Sequence, residues 1–260
     1  MIKFFRKIRQ QLISDLPSEA SAKGGNKFSK YLIYAIGEII LVMIGILLAL
    51  QVSNWNQARV TKTNEIKTLK QLNVDLSSNL IEIKQLDSFI RVRSEVGEKI
   101  LNHFETKDNV TDSLRLWVEL FSGGNIFNNA NTTYKNLENS ENIVISNDSL
   151  RIRITLMYET VFANIHLREE MFTDEYFKPY NSQLFKNFKT GPVIDKWLVK
   201  QTLSTNTPKD YNQLRKNEDY KSALVEAYNF RLLRLQWLSY YIIDLKELIK
   251  DIEQEIEIIQ

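Results

Sequence analysis

YLIYAIGEIILVMIGILLALQV, residues 31–52, carries one charge, Glu38, and has no polar side chain from Ile39 to Leu50. At a helical rise of about 1.5 Å per residue it covers ~33 Å, enough to cross a hydrocarbon core of about 30 Å with little tilt. It reads as a transmembrane helix. Its ends are marked by Tyr31 and Tyr34 on one side and Trp55 on the other, amphipathic rings of the kind that settle at the membrane interface. A cleaved signal peptide has a shorter apolar region and a small-x-small cleavage site. The exit ALQVSNWNQA offers no such site, so the segment reads as an uncleaved signal anchor.

Outward from this span the charge is uneven. Residues 1–30 hold seven basic groups, Lys3, Arg6, Lys7, Arg9, Lys23, Lys27 and Lys30, against Asp15 and Glu19. The twenty residues after the span hold four, Arg59, Lys62, Lys67 and Lys70. The excess in front predicts a cytoplasmic N-terminus, with residues 53–260 outside the cytoplasm. The absence of cysteine leaves no disulfide framework, which a periplasm permits and which decides nothing about compartment.

The opening MIKFFRKIRQQLISDL aligns Met1, Phe5, Ile8, Leu12 and Leu16 on one helical face, with Lys3, Arg6, Lys7 and Arg9 over the rest. Two readings stand: a helix lying on an anionic leaflet, where each basic group contributes about 1 kcal/mol, or topogenic charge without structure. Pro17 and Gly24-Gly25 mark the stretch before the span as a linker.

Beyond the span, Leu and Ile recur among mixed charges and strand-like alternation is nearly absent. From Asn54 to about Phe104 there is no proline and the first glycine is Gly97, so one helix continues through the segment. Leu69, Leu72, Leu76, Ile83, Leu86 and Ile90 follow a 3,4 spacing broken at Asn79, where Leu80 is expected to substitute. At the other end Leu235, Leu238, Ile242, Leu245, Ile249, Ile252, Ile256 and Ile259 step by three and four without a miss. SLRLWVELF from Ser113 reads as a short helix and FSGGNIFNNANTT as a loop. A third long helix is expected from an Asn147 or Asp148 cap to Pro179 or just past it. The predicted architecture is all-α: residues 1–30 a basic segment and linker, 31–52 the span, and 53–260 an antiparallel bundle of long helices with coiled-coil-like seams.

YAIGEIILVMIGILLALQVSNWN, preceded by MIKFFRKIRQ and FSKYL, resembles the N-terminal signature of a family of uncharacterised membrane proteins abundant in flavobacteria, classed as a domain of unknown function. TTYKNLENSENIVISNDSLRIRITLMY resembles that family's middle pattern, and DYNQLRKNEDYKSAL its pattern before the last helix. Where relatives carry serine-glycine in the middle pattern, this chain has Ser140-Glu141. The resemblance implies a Gram-negative inner membrane and a helical periplasmic part. It implies no activity.

Glu38 requires a physical account. It lies about 10 Å inside the span's boundary, and an acidic group near a span's centre costs on the order of 3 kcal/mol. Ala35, Glu38, Val42, Gly45 and Ala49 share one helical face, and Gly45 with Ala49 forms a small-xxx-small pair that permits close approach. Three readings remain: a protonated or hydrogen-bonded carboxyl joining copies or a partner span, an ion-coupled carboxylate, or a shallower span with Glu38 at the interface. The last leaves a 14-residue core, Ile39 to Val52, of about 21 Å, short for a bilayer.

The remaining chemistry is sparse. His103 and His166 are the only histidines, and no metal-ligand spacing, phosphate-cradling glycine loop or nucleophile elbow occurs. Glu169-Glu170 reads as a solvated helix face. The aromatics Tyr176, Phe177, Tyr180, Phe185 and Phe188, with Trp237, Tyr240 and Tyr241, read first as core or bundle-end packing and second as a partner or ligand pocket, since tyrosine and tryptophan are also interface anchors. No catalytic residue, cofactor or nucleic-acid surface is expected. The expected partners are the bilayer and either further copies of the chain or another membrane protein, for a scaffold, sensor or accessory subunit.

Overall fold

The computed structural model describes residues 26–107, 109–140, 145–189 and 206–260, with the backbone alone for residues 26–31, 33 and 34. The chain is all-α. Helix α1 runs unbroken over Asn26–Thr106, 81 residues. It is followed by α2 (Asp112–Phe121) and α3 (Thr132–Glu138). A long helical run then comprises α4 (Asp148–Leu156), a π turn (Met157–Phe162), α5 (Ala163–Met171), a second π turn (Phe172–Phe177) and α6 (Lys178–Asn187). A two-residue antiparallel pair, β1 (Phe188–Lys189) with β2 (Thr207–Pro208), precedes α7 (Tyr211–Leu214) and α8 (Glu218–Ile259).

The chain divides into two compact units, Met1–Ala58 and Arg59–Gln260. In the first, α1 exposes every side chain from Ala35 to Ala58. Its most apolar 18-residue window has a mean hydropathy of 2.4 and buries none of its residues, so this helix is long and apolar enough to cross a membrane.

In the second unit the predicted stripes are the core. Leu69, Leu72, Leu76, Ile83, Leu86 and Ile90 of α1 are at most 1% exposed. They form one cluster with Leu150, Ile154 and Ile165 of the third long helix and Leu238, Leu245 and Ile252 of α8. The first and third long helices run the same way and α8 runs against both, since Ser146 at the start of the third bonds Glu65 of α1 and Asn147 bonds Glu255 of α8. Asn73 bonds Glu253 near one end of the bundle, and Phe104 packs edge-on against Tyr220 near the other. Between those ends Gly97 lies against Phe121 and Tyr228, so closely that a Cβ there would meet the Phe121 ring at 2.7 Å. Burying a leucine or isoleucine fully contributes about 1.5–3 kcal/mol, which makes the shared stripe the main source of cohesion. A second cluster, more aromatic, gathers Phe104, Phe121, Tyr180, Phe188 and Tyr220.

Helix starts follow from their caps. Asn147 accepts from Leu150 N and Asn217 from Tyr220 N, each at 3.1 Å, while Thr111 accepts from Leu114 N at 3.1 Å; such caps contribute about 1 kcal/mol each. The third long helix therefore begins where the sequence predicts, and it extends past Pro179 to Asn187.

Three details differ from expectation. Asn79 remains in the seam at 0% exposure, while Leu80 only flanks it. The side-chain amide of Asn79 donates to Ala130 O at 2.9 Å and its carbonyl accepts from Ala130 N at 2.6 Å, so the break in the stripe is a polar anchor for the α2–α3 loop. Thr132 and Thr133, read as loop, begin α3, whose Thr133 N is held by the Asp75 carboxylate at 3.1 Å and whose Tyr134 stacks on Tyr158 at 4.4 Å. The third long helix contains two π turns. Apolar residues there recur every four positions, as in Phe172, Tyr176, Tyr180 and Leu184, a spacing that drifts about 40° per step around an α-helix. A wider π turn returns such a line to its face.

Candidate functional site

The row expected to make contacts within the membrane, Ala35, Glu38, Val42, Gly45 and Ala49, lies on the continuous part of α1 that belongs to the first unit, with every member exposed. A Cβ added at Gly45 would meet nothing within 4 Å. Glu38 makes no hydrogen bond or ion pair among the described residues. Trp55 is 68% exposed. Lys3, Arg6, Lys7 and Arg9 lie outside the described residues, as do Glu141 of the Ser140-Glu141 step and the side chains of Tyr31 and Tyr34.

Within the second unit the structure brings together a group that periodicity alone did not single out. Projected backwards from Leu238, the 3,4 stripe of α8 lands on Arg234, Arg231, Ala227, Leu224 and Tyr220, and all five are buried. Two arginines thus occupy core positions, and Arg93 of α1 joins them. Arg231, Arg234 and Arg93 are 1%, 4% and 7% exposed.

Each guanidinium has partners of its own. Arg234 grips the Glu169 carboxylate with Nε at 3.0 Å and with Nη2 on the second oxygen. This buried pair overturns the reading of Glu169 as part of a solvated face: its side chain is 13% exposed, because the helical run turns it toward α8. Arg231 Nη2 donates to Phe121 O at 2.7 Å and its guanidinium lies 3.9 Å from the Phe121 ring centroid. Arg93 Nε donates to Gly123 O at 3.2 Å and Nη1 to Phe89 O at 3.3 Å. A Cβ at Gly123 would overlap the Arg93 guanidinium, so a larger residue there would have to displace it. Two arginines therefore cap the C-terminal end of α2, where free carbonyls and the negative end of the helix dipole favour cations.

Among the described residues the charges are only partly compensated, with Glu169 paired to Arg234. Burial pulls Arg231 down to about 9, and the neighbouring charges of Arg234 and Arg93 push the same way, with no carboxylate among the groups that act on it. Burial brings Arg93 to about 10. Arg234 is also lowered by burial, against the pull of Glu169. Arg231 Nη1 is buried without a hydrogen-bond partner, and so is Nη1 of Arg168, whose guanidinium lies 3.5 Å from the Trp237 ring centroid.

The histidines have structural contacts. His103, 5% exposed, bonds Asn109 O through Nε2 at 3.2 Å, and His166 bonds Asn129 at 2.9 Å. Of the aromatics expected to pack, Tyr180 and Phe188 are buried, while Phe185 and Tyr240 are 65% and 57% exposed. An open groove of about 690 Å³ runs between α1 and α3 past Lys67, Lys70, Val74, Asp75 and Thr132.

Among known proteins, a family model described as a family of unknown function, DUF6090, matches residues 38–201. No curated protein matches, and no solved structure does.

Proposed function

The chain belongs to DUF6090, a family of unknown function, and from that premise we propose that it is a bitopic inner-membrane protein of flavobacterial type that acts by protein–protein contact. Residues 1–30 face the cytoplasm, 31–52 cross the bilayer, and 53–260 form a periplasmic helical bundle that serves as a scaffold, sensor or accessory subunit. It is a binding protein and not an enzyme. The observation that carries this reading is the fully exposed apolar stretch of α1, where Ile44, Leu47, Leu48 and Val52 are 52–64% exposed. A surface of that kind requires an apolar surrounding.

The bilayer part is tested by membrane fractionation with alkaline carbonate, together with reporter fusions at the C-terminus. Retention in the pellet and a reporter active only outside the cytoplasm are expected. A polypeptide trimmed near Gln51, or one soluble without detergent, overturns it. The binding part is tested by purification in mild detergent and identification of what co-purifies. A monomer without companions overturns that half while leaving the anchor intact.

Within the membrane, Glu38 is the contact residue, joining copies or a partner span through a protonated or hydrogen-bonded carboxyl beside Gly45 and Ala49. Glu38→Gln keeps the hydrogen bond and is expected to preserve association, whereas Glu38→Leu weakens it. In a second reading Glu38 is an ion-coupled carboxylate within a larger membrane complex. In that case Glu38→Gln abolishes the activity of the complex but not its assembly.

A further inference from the structure

Between Glu226 and Asp244 the only charged residues of α8 are Arg231 and Arg234, and both are buried. Every exposed position in that stretch is therefore uncharged, and Leu232, Leu233, Tyr240 and Ile243 are 39–57% exposed. From Asn229 to Ile243, about 21 Å of helix, the outer face lacks the charge that solvates an ordinary outward surface. A strip of that kind marks a contact surface. Its complement lies on the neighbouring helix. Three contacts fix which residues of the antiparallel pair α1 and α8 stand level: Asn73 with Glu253, Gly97 with Tyr228 and Phe104 with Tyr220. Counting from these, Val92 is level with Leu233, Lys99 with Glu226, Ile81 with the turn that holds Ile243, and Lys70 with the turn that holds Glu257. The four α1 residues are exposed, and at about 100° per residue they share one face within ~40°.

We propose that the α1–α8 side of the second unit is the contact surface for a second copy of this chain. Apolar stands level with apolar, and base with acid, on two helices that run in opposite directions. A twofold axis parallel to the bundle lays α1 of each copy beside α8 of the other and leaves every level unchanged. Ile81 and Val92 then pack on Ile243 and Leu233 of the other copy, with Lys99 facing Glu226 and Lys70 facing Glu257. The charges favour this occupant. None of these four makes an ion pair among the described residues, and the symmetry forms each pair twice. The inference rests on the reading above, that the protein acts by protein–protein contact, and names the partner and the surface.

The chain has no cysteine, so introduced thiols report contacts without background. Full-length Val92→Cys and Leu233→Cys, carrying different tags, are co-expressed and oxidised in mild detergent. A disulfide-linked heterodimer is expected at least about fivefold above the yield from Leu167→Cys with Leu233→Cys, because the bond needs Cα atoms within about 7 Å. Leu167 is exposed on α5, away from the proposed surface. Light scattering on the full chain in detergent supplies a second measurement. Lys99→Glu and Glu226→Lys are each expected to weaken the dimer about tenfold, since like charges then face each other twice across the interface, and the double variant to restore it. Both side chains are exposed, so the bundle folds in every variant. Equal yields from the two cysteine pairings, or a double variant no better than either single one, overturns the proposal. A monomer with a different companion overturns this surface alone, and a monomer without any overturns the binding reading as well.

Discussion

Along α1, residues 35–58 leave every side chain exposed, whereas residues 59–106 draw Leu69, Leu72, Leu76, Ile83, Leu86 and Ile90 into a core at 1% exposure or less. Both stretches are rich in Leu and Ile and both are helical, so propensity does not separate them. Charge and its placement do: residues 35–58 carry Glu38 alone, whereas charged side chains recur through 59–106. The first is apolar on all sides and therefore specifies a surrounding. The second is apolar on one stripe with charge on its flanks, and therefore specifies neighbours. The same contrast holds for one carboxylate in each unit: Glu38 in the first unit has no partner among the described residues, while Glu169 in the second has both oxygens on a buried arginine.

The strongest test of that contrast removes each carboxylate. Glu169→Leu leaves Arg234 buried and uncompensated, and is expected to lower the unfolding free energy of the bundle by about 3–5 kcal/mol, read from urea unfolding followed by circular dichroism in detergent. Glu38→Leu is expected to leave that transition in place. Equal losses would remove the distinction between a structural carboxylate and one kept for another purpose.

A second test compares two leucines on one helix. Leu72→Ala empties a fully buried position and is expected to cost about 2–5 kcal/mol, the spread reflecting how far the surrounding helices close in. Leu47→Ala, at a residue 58% exposed, is expected to leave the bundle's midpoint unchanged. A fall in midpoint for Leu47→Ala would mean that side chain has a protein neighbour.

Where the pattern was periodic, the sequence was sufficient. The stripes of α1 and α8 and the Asn147 cap were readable because each is set by neighbours three or four residues away. Helix α3 was not, since its seven residues are ordered by Asp75 and by the Tyr134–Tyr158 stack, contacts across long separations. The π turns were missed because a four-residue repeat resembles an ordinary helical one until its drift is followed over several steps. The arginine cluster was legible in part: extending the α8 stripe toward the N-terminus reaches Arg234 and Arg231. A core position filled by arginine is discounted by any rule that seeks only apolar residues, and Glu169 as its counter-ion is visible only in three dimensions. Asn79 teaches the same lesson, since a polar residue in a seam was read as a fault and is a bond to the loop backbone.

The smallest expected effect concerns His103, near the C-terminal end of the buried half of α1. Burial lowers its pKa from the ordinary value, the charges of Lys107 and Arg215 add to that, and the hydrogen bond to Asn109 O opposes them. Between the lowered folded value and about 6.5, the unfolded chain binds more protons than the folded one. Stability contributed by neutral His103 is therefore present above about pH 6.5 and is lost as pH falls through that window. His103→Gln has no proton to gain, so the wild type is expected to lose unfolding midpoint relative to this variant on acidification from about pH 7.5 to 5. The offset between the two should stay constant above that range. A wild type that gains on the variant as pH falls would mean that the Asn109 carbonyl outweighs burial, and that the end of the core half of α1 welcomes a charge after all.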